Sequence, residues 1–116
     1  LKFLYFYNDL IEERKLLKES IDIVATGKIS GAVGTFAYLS PAIEEYICKK
    51  MGVGFSRVST QVVSRERFAY YLSLIALLGS TLERFATEIR HLHRTEVEEA
   101  KEPFYSGQKG SSAMPH

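Results

Sequence analysis

The chain has 116 residues, 46% of them hydrophobic and 25% charged, the balance of a sequence that folds rather than one that stays disordered. Its 15 Lys and Arg and 14 Asp and Glu are mixed along the chain and leave a net charge of +1, which gives no electrostatic footprint for nucleic acid or an anionic membrane. One cysteine, Cys48, excludes an internal disulfide framework and fits a reducing compartment, and the most apolar run, 68–78, is about half of what a bilayer crossing needs.

Residues 1–25 favour a helix. Pro and Gly are absent there, and Leu10, Leu17, Ile21 and Val24 recur at helical spacing while Glu12, Arg14, Lys15, Lys18 and Glu19 take other faces. Gly27 is the expected stop, because glycine accepts the left-handed conformation that closes a helix. The segment Gly27-Lys-Ile-Ser-Gly-Ala-Val-Gly-Thr35 then carries three glycines. It matches neither G-x-x-x-x-G-K-[ST] nor G-x-G-x-x-G, and a helix precedes it where both patterns need a strand, so a tight turn is favoured over a phosphate cradle.

Ser40-Pro41 reads as an N-cap followed by proline at the first helical position, opening a short helix that Gly52 closes after about Met51. Ser59 or Thr60 is the expected cap of a long helix reaching about Thr95, roughly 50 Å at the usual helical rise. Its apolar stripe is Phe68, Leu72, Ile75, Leu78, Leu82, Phe85, Ile89 and Leu92, and Tyr71, Leu74 and Leu77 make the opposite face apolar as well. A helix apolar all round must be covered on every side, and two further helices cannot do that. The expected fold is therefore all-α: an elongated bundle of long helices completed by further chain or by partner subunits. Beyond Thr95 come the acidic patch Glu96, Glu98, Glu99 and Glu102, then Pro103 and a Gly/Ser-rich stretch from Ser106 to Ser112 that reads by itself as a linker. A start at Leu1 rather than Met, and an end at His116 directly after that stretch, lead us to expect a piece of a longer chain.

Few residues could carry chemistry. His91 and His93 lie about 200° apart around a helix and cannot share a metal, and H-E-x-x-H and C-x-x-C are absent, so a zinc site is not expected. Gln61 falls in the first turn of the expected long helix, where free N–H groups attract anions; it reads either as a substrate contact or as a surface amide. Arg65 and Arg67, in the next turn, could meet a carboxylate or phosphate or remain solvated. Ser111 and Ser112 follow Gly110; a serine acts as a base only where cations and backbone donors stabilise its alkoxide.

The run Gly107-Gln-Lys-Gly-Ser-Ser-Ala-Met-Pro-His116 resembles the signature loop of the fumarase/aspartase superfamily, whose usual core is G-S-S-x-M-P-x-K-x-N. Gly27–Thr35, Ser59-Thr-Gln-Val-Val-Ser-Arg65, and Phe85–Arg90 continuing to Arg94-Thr-Glu-Val97 are similar, in order and approximate spacing, to blocks of the adenylosuccinate lyase family. The resemblance implies a homotetramer built around a central bundle of long helices, with each active site drawing on three subunits. It assigns residues 1–95 to that bundle and 96–116 to the signature loop. It implies elimination of fumarate from adenylosuccinate, giving AMP, and from the succinylated aminoimidazole carboxamide ribotide of purine synthesis. These substrates are succinyl-purine nucleotides and succinylated precursors, no cofactor is implied, and the cytoplasm is the expected location.

By motif position, Ser111 corresponds to the base that removes the Cβ proton, Ser112 to a substrate-contacting neighbour and Gln61 to a substrate-binding glutamine. The family's general-acid histidine would lie ahead of Leu1, and the loop's Lys and Asn would follow His116, so none of the three histidines here takes the acid role. Phe68 departs from the histidine expected after Arg65-Glu-Arg67. Two alternatives stay open: a sister lyase or cycloisomerase sharing the loop serines, and a non-catalytic scaffold such as the lens crystallins of the superfamily.

Overall fold

The computed structural model describes residues 1–101, 103 and 105–110. Three helices carry most of them, α1 (Lys2–Val24), α2 (Pro41–Met51) and α3 (Glu66–Leu92), so the helical class expected from the sequence is the one observed. Between the helices, β1 (Thr26–Gly27) pairs in parallel with β2 (Gly54–Phe55). The chain forms two compact units, Leu1–Leu82 and Glu83–His116.

α1 closes without glycine. The Ala25 N–H reaches Ile21 O at 2.8 Å while Ala25 itself has left the helix at φ −71°, ψ 69°. Gly27, expected as the helix stop, lies instead in β1, because the chain extends at once to pair with residues 54–56: Gly54 N–H meets Ala25 O at 2.8 Å and Ser56 N–H meets Gly27 O at 3.1 Å. Gly27 is needed for space. A Cβ there would stand 2.7 Å from the Cys48 sulfur, and the thiol is free and fully buried on α2.

α2 follows its sequence signals. The Ser40 hydroxyl accepts the Ala42 N–H at 3.3 Å, Pro41 occupies the first turn, and Gly52 ends the helix in the left-handed conformation at φ 70°. Val53 N–H to Cys48 O at 3.0 Å and Gly52 N–H to Lys49 O at 3.2 Å satisfy the last carbonyls. Glu44 and Cys48, one turn apart, form the buried face on which the preceding loop rests.

α3 starts later than its pattern suggests. Residues 59–65 are held in a bent, non-helical path by contacts to the earlier loop, and the β-branched Thr60, Val62 and Val63 add no helical preference to oppose it. The first turn is closed by Ala69 N–H to Arg65 O at 3.0 Å. At the other end Leu92 O takes the N–H groups of both Glu99 and Ala100, at 3.1 and 3.2 Å, where the chain turns back on the helix.

α1 and α3 run antiparallel. Thr81 Oγ1 donates to the Glu13 carboxylate, and toward the other end Arg67 Nη1 donates to Ile23 O at 3.0 Å and to Thr26 Oγ1 at 3.1 Å. The α3 face toward α1 thus carries Arg67, Leu74 and Thr81, with Leu74 and Thr81 buried. Much of the stripe expected from periodicity faces outward instead: Leu72, Ile75 and Leu82 are 61%, 43% and 48% exposed. The chain covers one face of an all-round apolar helix and leaves another open.

Two glycines of the first loop differ in what they tolerate. Gly31 and Gly34 both have positive φ, 86° and 77°, but a Cβ on Gly31 meets nothing within 4 Å whereas one on Gly34 would fall 1.9 Å from Ser59 O. In the full-length protein Gly31→Ala should cost about 1 kcal/mol of backbone strain, and Gly34→Ala more than about 3 kcal/mol, because the two loops must also separate. Urea unfolding of the two variants checks the ordering.

Candidate active site

Two segments distant in sequence converge here. Ser30, buried in the first glycine loop, meets Ser59 with 3.0 Å between hydroxyl oxygens, and Gly34 lies directly against the Ser59 carbonyl. Glycine is required at that contact, since any Cβ would overlap main-chain atoms that have nowhere to go. The loop between them is folded tightly. Phe36 takes φ 54°, a conformation a bulky side chain rarely adopts, and its N–H reaches back to Ser30 O at 3.0 Å. The Lys28 ammonium donates to Gly31 O, and the Glu44 carboxylate on α2 accepts the Ile29 N–H. Ser56, also buried, donates to Val58 O at 2.8 Å and shapes the approach to Ser59.

Beside this junction lies an open cleft of ≈ 670 Å³ lined by Val58–Thr60, Val62–Glu66 and Ala69. A second hollow of ≈ 570 Å³ shares Val62, Val63 and Arg65 and adds Phe68. The lining is apolar with a few polar groups, the usual character of a small-molecule site. Arg65 is exposed and is the cation of both hollows.

The residues singled out in the sequence separate in the structure. Gln61 is exposed and sits in the bent segment two residues after Ser59, ahead of α3; since that helix begins only at Glu66, Gln61 is not in its first turn and lacks the helix N-terminus expected beside it. Arg67 is a strut, with its guanidinium joined to the end of α1. His91 is partly buried, its Nδ1 without a hydrogen-bond partner among the described residues, and His93 is exposed. Ser111 and Ser112 lie outside the described residues. The lead-in to them is a turn in which Gln108 N–H meets Tyr105 O at 3.0 Å, the Gln108 side-chain oxygen accepts the Tyr105 N–H at 3.1 Å, and Gly107 takes φ 87°.

Ser30, Ser59 and Glu44 were not visible as site residues. Ser30 and Ser59 stand in two of the three family-like blocks, and that shared membership is the one signal that points to them. Nothing local marks a glutamate in the first turn of a short helix as the anchor of another loop.

The amino-acid sequence itself has relatives of known class. A profile of the lyase family matches residues 1–116, and the chain belongs to that family. The adenylosuccinate lyase of Thermotoga maritima is 50% identical to it over 116 residues, which is 100% of this chain and 27% of that protein. The chain thus spans about a quarter of the length of the curated relative it matches.

Proposed function

We propose that this chain is the part of an adenylosuccinate lyase that carries the base-bearing loop and one wall of the substrate site. The observation that supports it most is identity at half of all positions, sustained over the whole chain, with an enzyme of that name. The substrates are adenylosuccinate, which yields AMP and fumarate, and the succinylated aminoimidazole carboxamide ribotide. The cytoplasm is the natural compartment for this chemistry, and no helix among the described residues is long and apolar enough to cross a membrane.

In the reaction, Ser111 as alkoxide takes the proton from Cβ. The C–H electron pair becomes the new double bond of fumarate, the C–N bond breaks, and the departing nitrogen takes a proton from a general acid outside these 116 residues. Charge builds on the carboxylate next to Cβ as the proton leaves, so a loop that closes over substrate and excludes water lowers the barrier. Ser112 contacts substrate beside the base, and Gln61, exposed in the bent segment between the cleft-lining Thr60 and Val62, holds it.

Assembly completes the site. The open side of α3 at Leu72, Ile75 and Leu82 is the surface on which copies of the chain pack as a homotetramer. Covering each of these half-exposed side chains contributes about 1 kcal/mol, and a tetramer repeats the gain at every interface.

Three measurements on the full-length protein test this reading. Ser111→Ala should lower kcat by about 10²-fold or more while substrate still binds, and Ser112→Ala should affect KM more than kcat; the reverse pattern would move the base to Ser112. Gln61→Ala should lower kcat/KM by the equivalent of about 1–3 kcal/mol, as for a lost hydrogen bond to a charged or buried group. In sedimentation, Leu72→Asp should give folded smaller species, whereas Leu74→Asp, at a site buried within the chain itself, should unfold the protein. An active wild-type monomer would overturn the assembly.

A further inference from the structure

Glu44 is buried to 2% exposure in the first turn of α2, and its carboxylate accepts the Ile29 N–H. Burying a carboxylate is costly, and a single loop amide returns little of that cost. The contact therefore calls for a reason beyond satisfying one N–H group, and what it touches supplies one. Ile29 precedes Ser30, whose hydroxyl meets Ser59 at 3.0 Å, and Ser59 leads through Thr60 to Gln61. The loop that Glu44 holds is strained at Phe36, whose φ of 54° a bulky side chain rarely adopts, while Gly31 and Gly34 take positive φ at no steric cost. Such a conformation persists only where surrounding contacts fix it.

We infer that Glu44 is a positioning residue of the active site: by holding the Ile29 N–H it sets the first glycine loop, through which Ser30 fixes Ser59 and presents the Gln61 segment to substrate. This rests on the proposed function, since it treats the Gln61 segment as a substrate wall. Glu44 itself, on the buried face of α2, does no chemistry on substrate.

The test is steady-state kinetics of fumarate release from adenylosuccinate by the full-length protein. Glu44→Ala should raise KM by about 10-fold or more with kcat within about 3-fold of wild type, because the wall is misplaced while the base is untouched. Glu44→Gln, which keeps an acceptor oxygen of the same reach, should restore both constants to within about 3-fold of wild type. Ser30→Ala should also raise KM, and the Glu44→Ala/Ser30→Ala pair should be no worse than Glu44→Ala alone, since both act through one line of contacts. A merely structural Glu44 would lower Tm and the active fraction but leave KM unchanged. An unchanged KM in Glu44→Ala, or additive losses in the double variant, overturns the inference. If Glu44→Ala does not fold, Ser30→Ala decides, and a normal KM there overturns it. A wild-type protein that releases no fumarate overturns the functional reading and this inference with it, whereas an active wild type with an indifferent Glu44→Ala overturns this inference alone.

Discussion

Gly34 lies against the main chain at Ser59 so closely that no side chain fits between them, and much of the first unit is arranged around that approach. For the two loops to touch, β1 and β2 must hold their bases side by side, and Gly27 must leave room for the Cys48 sulfur so that α2 can press against β1. The hydroxyl pair of Ser30 and Ser59 then fixes the contact in one position. A single such hydrogen bond is worth only about 1 kcal/mol net. Steric fit at Gly27 and Gly34 therefore acts together with the polar contacts of Ser30 and Glu44 to hold the arrangement.

How much of this could be read beforehand depended on how local each cause is. Ser40-Pro41 and Gly52 set the ends of α2 through contacts within a few residues, and both ends fell where the sequence puts them. The helical pattern of residues 1–25 likewise became α1. The beginning of α3 was not legible, because residues 59–65 are kept out of the helix by Ser30 and Gly34, more than twenty positions away. That non-local cause also removed Gln61 from the helix start. A two-residue parallel pair shows no alternation to detect, so β1 and β2 leave no trace, and the sequence marks Gly27 as a helix stop although its role is steric.

The all-round apolar character of α3 was legible, but which face its own chain covers was not. Periodicity marks Leu72, Ile75 and Leu82 as readily as Leu74 and Leu78, and only the hydrogen bonds to α1 at Arg67 and Thr81 choose between them. Arg67 illustrates the ambiguity of a charge near a cleft. The same guanidinium could meet a ligand carboxylate or a carbonyl at a helix end, and here Ile23 O and Thr26 Oγ1 use it.

The bond between Thr81 and Glu13 has a consequence of its own. Glu13 is buried, and its second oxygen meets no donor among the described residues, so Thr81 is the partner that satisfies it. Between this bond and the Arg67 contacts the α3 face carries the apolar Leu74, and apolar surfaces slide past one another with little loss. Sliding α1 by one turn along α3 would strand the carboxylate without Thr81, at a cost of several kcal/mol. The Thr81–Glu13 bond, with the Arg67 contacts toward the other end, therefore fixes the register of the two helices, as a buried polar residue does in a coiled coil. It acts as a detent against slippage for a helix whose outer face is still open to association.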